Sequence, residues 1–237
     1  TVEVNGSSKI ITLKNISETS EVQFNQTGNV ETLENKGKVF VNENVSAKNV
    51  ENQGKVTIAE GKIFAISGTL TDNNEICGDG TIKINGTGNQ NVTLTTKENI
   101  GYKNIVVEKT SGNVEINNVA KIENFENLTA GTTTFNAATI ITSYTNTKGN
   151  SIFNDVSTIT SYTNESGKST FEKDAEIAKL INKDTLEFSE KITSTESVEN
   201  NGTITINGEA EIQTLENSKT VEVNGSSKII TLKNISE

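Results

Sequence analysis

Acidic and amide side chains crowd into one stretch of this chain, TDNNEICGDG from Thr71 to Gly80. Asp72, Asn73, Asn74, Glu75 and Asp79 offer the hard oxygen atoms that a calcium ion takes. Their spacing matches neither the twelve-residue EF-hand loop nor the GGxGxDxUx nonapeptide, and Asp-Gly and Asn-Asn are also ordinary turn pairs. The five residues are therefore candidates for binding, and none is assigned as a metal ligand.

Little else in the chain can do chemistry. His and Arg are absent, which removes the usual bases, metal ligands and anion clamps. The remaining aspartates, Asp155, Asp174 and Asp184, are scattered. No catalytic residue and no cofactor are expected, and an enzyme is not the expected class. Cys77 is the one cysteine and reads as a small buried hydrophobe.

The elements that would position these groups come from a short repeat. Hydrophobic residues make up 32% of the chain and aromatics 5%, too little apolar mass for an ordinary globular core. Stacked identical layers can bury a thin core efficiently. Such layers are visible as VEVNGSSKIITLKNISETS, VQFNQTGNVETLENKGK and VFVNENVSAKNVENQGK from Val2, Val22 and Val39, and again as SIFNDVSTITSYTNESGK from Ser151. Each takes mostly seventeen or eighteen residues. Positions 1 and 3 are apolar, as in a strand with one face inward. A polar turn follows, and apolar residues return at positions 9 and 12, with a bend between them because a gap of three does not fit a flat strand.

Position 14 is Asn in nearly every layer: Asn15, Asn35, Asn52, Asn146, Asn164, Asn182, Asn217 and Asn234, with Asn127 in the same register. These amides are expected to point inward at a corner and bond the Asn above and below. Phe135, Phe153, Phe171 and Phe188 share position 3 in successive layers and are expected to form an aromatic stack inside the core, beside Tyr144 and Tyr162 at position 12. Helices are poorly supported, since no 3.6-residue apolar stripe persists. The expected fold is all-β: a parallel β-helix, or β-solenoid, running as one continuous unit over residues 1–237. The rule loosens between Ala59 and Lys121, and residues 68–113 are expected to form irregular coils or a protruding loop where recognition would sit.

Thr220–Glu237 repeats Thr1–Glu18 letter for letter. Shared fold constraints leave surface letters free to drift, so the natural unit is expected to be a tandem period of 219 residues, with neighbouring repeat units as partners. A net charge of −10 disfavours nucleic acid and anionic membrane surfaces as partners, and no apolar run nears the ~18 residues of a membrane span.

The texts VENNGTITINGEA, VENQGKVTI and GDGTIKINGTG resemble the passenger regions of bacterial autotransporters and the related filamentous-haemagglutinin-like adhesins. The resemblance covers the whole chain and lies in the character of its coils, with their Asn-Gly turns, Val/Ile/Thr strands and near absence of Cys. It implies a right-handed parallel β-helix, exported and displayed on a bacterial surface as a stalk or adhesive rod that meets host-cell or bacterial receptors or glycans. A self-assembling extracellular filament and a receptor- or glycan-binding module are the alternatives.

Overall fold

The computed structural model, which describes residues 1–97, 101–118 and 120–235, is an all-β solenoid of about 13 turns with no helix among those residues. Every strand pairing in it is parallel, and each strand lies beside its counterpart one turn away. Parallel strands need long crossovers; here the rest of each turn serves as the crossover.

The turn has three inward faces. In the lower part of the stack the first face carries the short strands Val2–Val4, Glu21–Phe24, Lys38–Val41, Lys55–Ile58 and Glu75–Cys77. The other two faces are shared by one long strand per turn: Ser8–Asn15, Gly28–Asn35 and Val45–Asn52. The long strand is bent in the middle. Its pairing runs Ile10 with Val30 and resumes at Thr12 with Thr32, passing over Ile11. That bend is what turns the chain from the second face to the third, and it lies in the three-residue gap between inward positions 9 and 12.

Alternation decides what is buried. Within Lys38–Val41, Val39 and Val41 are buried while Lys38 is exposed, and the same rule holds in Lys168–Phe171. The buried apolar side chains merge into one core running the length of the stack. Two aromatic columns stand in its upper half. Phe135, Phe153, Phe171 and Phe188 stack with ring centroids 4.8, 4.4 and 5.0 Å apart, and Phe125, Tyr144 and Tyr162 form a second stack at 5.2 and 5.0 Å. Rings of the two columns meet edge to face, as Phe153 does with Tyr144 at 5.3 Å, an arrangement that adds about 0.5–1.5 kcal/mol per pair beyond area burial.

Turns stack as closely as strands. Gly167 has φ of 90°, and a Cβ there would lie 1.8 Å from the carbonyl oxygen of Gly149 in the turn beneath. Only glycine meets both demands.

Residues 68–113, of which 98–100 lie outside the described residues, contain the strands Leu70–Asp72, Glu75–Cys77, Thr81–Ile84, Gln90–Thr93 and Tyr102–Val107. Each joins the stack. Leu70 pairs with Val50 and Val92, and Ile82 pairs with Phe64 and Ile105. The long strand is broken here into single-face strands, and above it re-forms one face earlier. The column that starts at Ile10 continues through Val30, Ala47, Ile66, Ile84 and Val107, and then becomes the asparagine column from Asn127 to Asn234. The column that starts at Leu13 passes through Leu70, Val92 and Ile116 and becomes the phenylalanine column.

Candidate functional site

The asparagine columns are the main polar structure inside the solenoid. Asn15 Nδ2 donates to Asn35 Oδ1 at 2.8 Å, and Asn35 Nδ2 donates to Asn52 Oδ1 at 2.7 Å. In the upper half the same bond links Asn127, Asn146, Asn164, Asn182, Asn200 and Asn217 in turn, at 2.8 to 3.0 Å, and reaches Asn234 at 3.5 Å. The rungs are buried except towards the open end, where Asn217 is half-buried and Asn234 exposed.

Each amide does more than reach its neighbour. Asn164 Nδ2 also donates to the carbonyls of Gly167 and Thr185, both at 3.1 Å, while Asn35 Oδ1 also accepts the Gly37 N–H at 3.1 Å. Two donors and two lone pairs are thus used to hold a turn that otherwise would leave buried backbone groups unpaired.

Asn200 belongs to this ladder although its layer reads out of register. Ala175 pairs with Ile192 and Leu180 with Val198, so five steps in one coil face six in the next. One extra residue at the corner between Ser194 and Ser197 hides the rung from a fixed count.

Asp72 is the second unexpected rung. It pairs with Asn52 and is 1% exposed. Asn52 Nδ2 donates to its Oδ1 at 2.7 Å, the Asn74 N–H donates to the same oxygen at 3.2 Å, and the Tyr102 hydroxyl donates to Oδ2 at 2.6 Å. Tyr102 in turn accepts the Thr95 N–H at 2.7 Å. Burial pushes the Asp72 carboxyl above its ordinary range, against the opposing pull of the Tyr102 and Asn52 hydrogen bonds. The signal was present in the sequence, because Asp72 follows Leu70 by two residues, as Asn35 follows Leu33.

The other acidic candidates lie elsewhere. Asn73 and Asn74 form the turn, and Glu75 faces out and pairs with Lys55 at 2.8 Å. That hydrogen bond holds the Glu75 carboxyl below its usual range. Asp79 borders a surface groove of about 600 Å³ lined with Gly78, Tyr102, Lys103, Lys121 and Glu123. Its polar rim is largely self-satisfied, with Lys103 bonded to Glu123 at 2.7 Å. The five candidates are therefore split between the core, a turn, the outer face of a strand and the groove. No cluster of three or more metal-ligating side chains exists among the described residues.

Cys77 departs from its expected place. Ile76 is the inward residue of that strand, and Cys77 is half-buried on the outer side, 3.8 Å from Thr57 Oγ1. Burial pushes its thiol pKa up, which keeps it protonated.

One buried cation has no counterpart among the sequence-based expectations. Lys109 is 4% exposed, with Nζ donating to the Gly88 carbonyl at 2.7 Å and to Gln90 Oε1. Gln90 passes the network on to the carbonyls of Ile66 and Gly68 at 3.1 and 2.9 Å. Burial holds the Lys109 ammonium below its ordinary range. Lys109 follows by two residues Val107, which pairs with Asn127 at the start of the upper ladder, and the bonds of Lys109 and Gln90 end on the protein's own backbone.

What the interior can do is hold coils in register; its asparagine, Asp72 and Lys109 side chains are spent on one another and on the backbone of the turns. Comparison with family models, with curated proteins and with solved structures finds no match for this chain.

Proposed function

We propose that the chain is a structural repeat module of a large bacterial cell-surface adhesin, forming a rod that carries adhesive parts of the molecule away from the cell. One observation above all carries this reading. The same eighteen residues occur twice, and each copy stacks on a neighbour through the opposite edge. In the first copy Val2 and Val4 pair with Val22 and Phe24, the next coil in the chain. In the second, Val221 and Val223 pair with Ile204 and Ile206, the preceding coil. One sequence thus carries both joints, so units can follow one another as a single solenoid with no linker.

The resemblance to autotransporter passengers and haemagglutinin-like adhesins supports placing the rod outside a bacterial cell, and the lack of His and Arg supports a non-enzymatic role. Host-cell or bacterial receptors or glycans are the partners such an adhesin would meet. Electron microscopy of chains one and two units long tests the rod. Each added unit should lengthen a single rod by about 56 Å at the ~4.8 Å spacing between strands. Compact particles, or no added length, would end this reading.

A second reading is a subunit of a self-assembling filament, since the strand edges that pair coil to coil along the stack can pair in the same way between copies. Single-unit rods that lengthen with concentration would select it.

A further inference from the structure

We infer that consecutive 219-residue units are turned by one face of the solenoid relative to one another, so that equivalent surface residues return to the same face only in every third unit. This rotation rests on the reading of the chain as a repeat unit of a continuous rod.

Strand register requires it. Ile10 and Asn234 stand in one column, twelve turns apart. Were a unit a whole number of turns, the residue over Ile10 would be its copy, Ile229. Ile229 instead pairs with Ile212, one face earlier than the Asn217 to Asn234 pairing. The second copy therefore begins a third of a turn early. One unit spans eleven turns and two thirds, and three units close on thirty-five whole turns. The irregular section makes this shift, because there the long strand moves from the second and third faces, as in Val45–Asn52, to the first and second, as in Ala120–Asn127.

The consequence is a surface property. The groove beside Tyr102, Lys103 and Glu123 opens in three directions on three successive units, and any uniform coil-to-coil twist adds equally to every turn. In the frame of the coils, a partner lying along one side of the rod meets the same groove every third unit, roughly 170 Å apart at the ~4.8 Å strand spacing.

Tagging tests it. In a Cys77→Ser background, Lys121→Cys with Lys228→Cys marks two points six turns apart on one face of the single chain, and tomography of gold-labelled rods reads the intrinsic twist from them. Glu176→Cys in each unit of a three-unit chain then reads the angle between units. The expected angle departs from the accumulated twist by one third of a turn at each step. Rods that lengthen by a unit at a time with tags following the twist alone would overturn the rotation and leave the rod standing. Chains that fail to lengthen would overturn both.

Discussion

Tyr102 donates its phenolic hydrogen to Asp72 across 2.6 Å, from a position thirty residues further along the chain. This bond closes the lower asparagine ladder. Every rung below it accepts on its oxygen and donates from its nitrogen to the coil above. A carboxylate can only accept, so a ladder that reaches Asp72 must be met from above by a donor, and Tyr102 supplies it. On the same face the neighbouring column, from Leu70 to Val92, continues upward as apolar core. Asp72 is a terminator by its chemistry: it is nearly isosteric with Asn and lacks the N–H that would pass the pattern on.

The titration of Asp72 should be visible in stability. Its folded pKa is raised above 3.8, so the native state holds the proton more tightly than the unfolded chain. Stability is then lost as pH rises from about the unfolded value through the folded one, and the loss is complete above it. Asp72→Asn removes this dependence. The difference in unfolding free energy between wild type and variant, from urea melts at stepped pH, should move against the wild type as pH rises. A difference that stays flat with pH would show that the carboxyl is not the titrating group.

The reverse substitution within a ladder should be severe. Asn164 Nδ2 serves Asn182 Oδ1 and two carbonyls. Asn164→Asp sets an oxygen against these three acceptors and should cost more than about 3 kcal/mol at neutral pH, whereas Asn164→Ala, which leaves groups unpaired but adds no charge, should cost about 1–3 kcal/mol. The Asp variant should recover part of its loss in acid, where the protonated carboxyl regains one donor. Equal costs for both variants at every pH would contradict the donor argument.

The two stacked tyrosines should respond differently to loss of their hydroxyls. Tyr144 bonds Ser151 Oγ at 2.6 Å. Tyr162 has no partner in good hydrogen-bond geometry among the described residues, and Ser169 Oγ, the equivalent hydroxyl, donates to Asn164 Oδ1 at 3.4 Å. Tyr144→Phe should destabilise by about 1 kcal/mol, and Tyr162→Phe should be neutral or stabilising, because an unpaired buried hydroxyl is removed. Chemical denaturation of the two variants decides it; equal losses would mean that Tyr162 has a bond of its own.

Two glycine substitutions separate stacked turns from open ones. Gly167→Ala forces a side chain into positive φ and into the Gly149 carbonyl, and should cost at least about 1–3 kcal/mol. Gly6→Ala meets nothing within 4 Å among the described residues and should change stability by less than about 0.5 kcal/mol. A midpoint shift shared equally by both would refute the close approach of the turns.

The period-two apolar pattern, the asparagine column and the phenylalanine column were legible in the chain itself, because each is a local rule repeated in successive coils. Val39 with Val56, Asn35 with Asn52 and Phe153 with Phe171 need only a count of about eighteen to be placed. That count failed at Asn200, where one extra corner residue shifts the frame, and at Asp72, where a change of residue type hid an unchanged position. The meeting of Tyr102 with Asp72, the burial of Lys109 and the rotation of the repeat by one face belong to the tertiary structure alone. They depend on how many residues each corner absorbs between Ile58 and Ala120, and corners are where strand propensity says nothing. There the packing of one coil on the next chooses the register, and with it which of three faces the rest of the chain inherits.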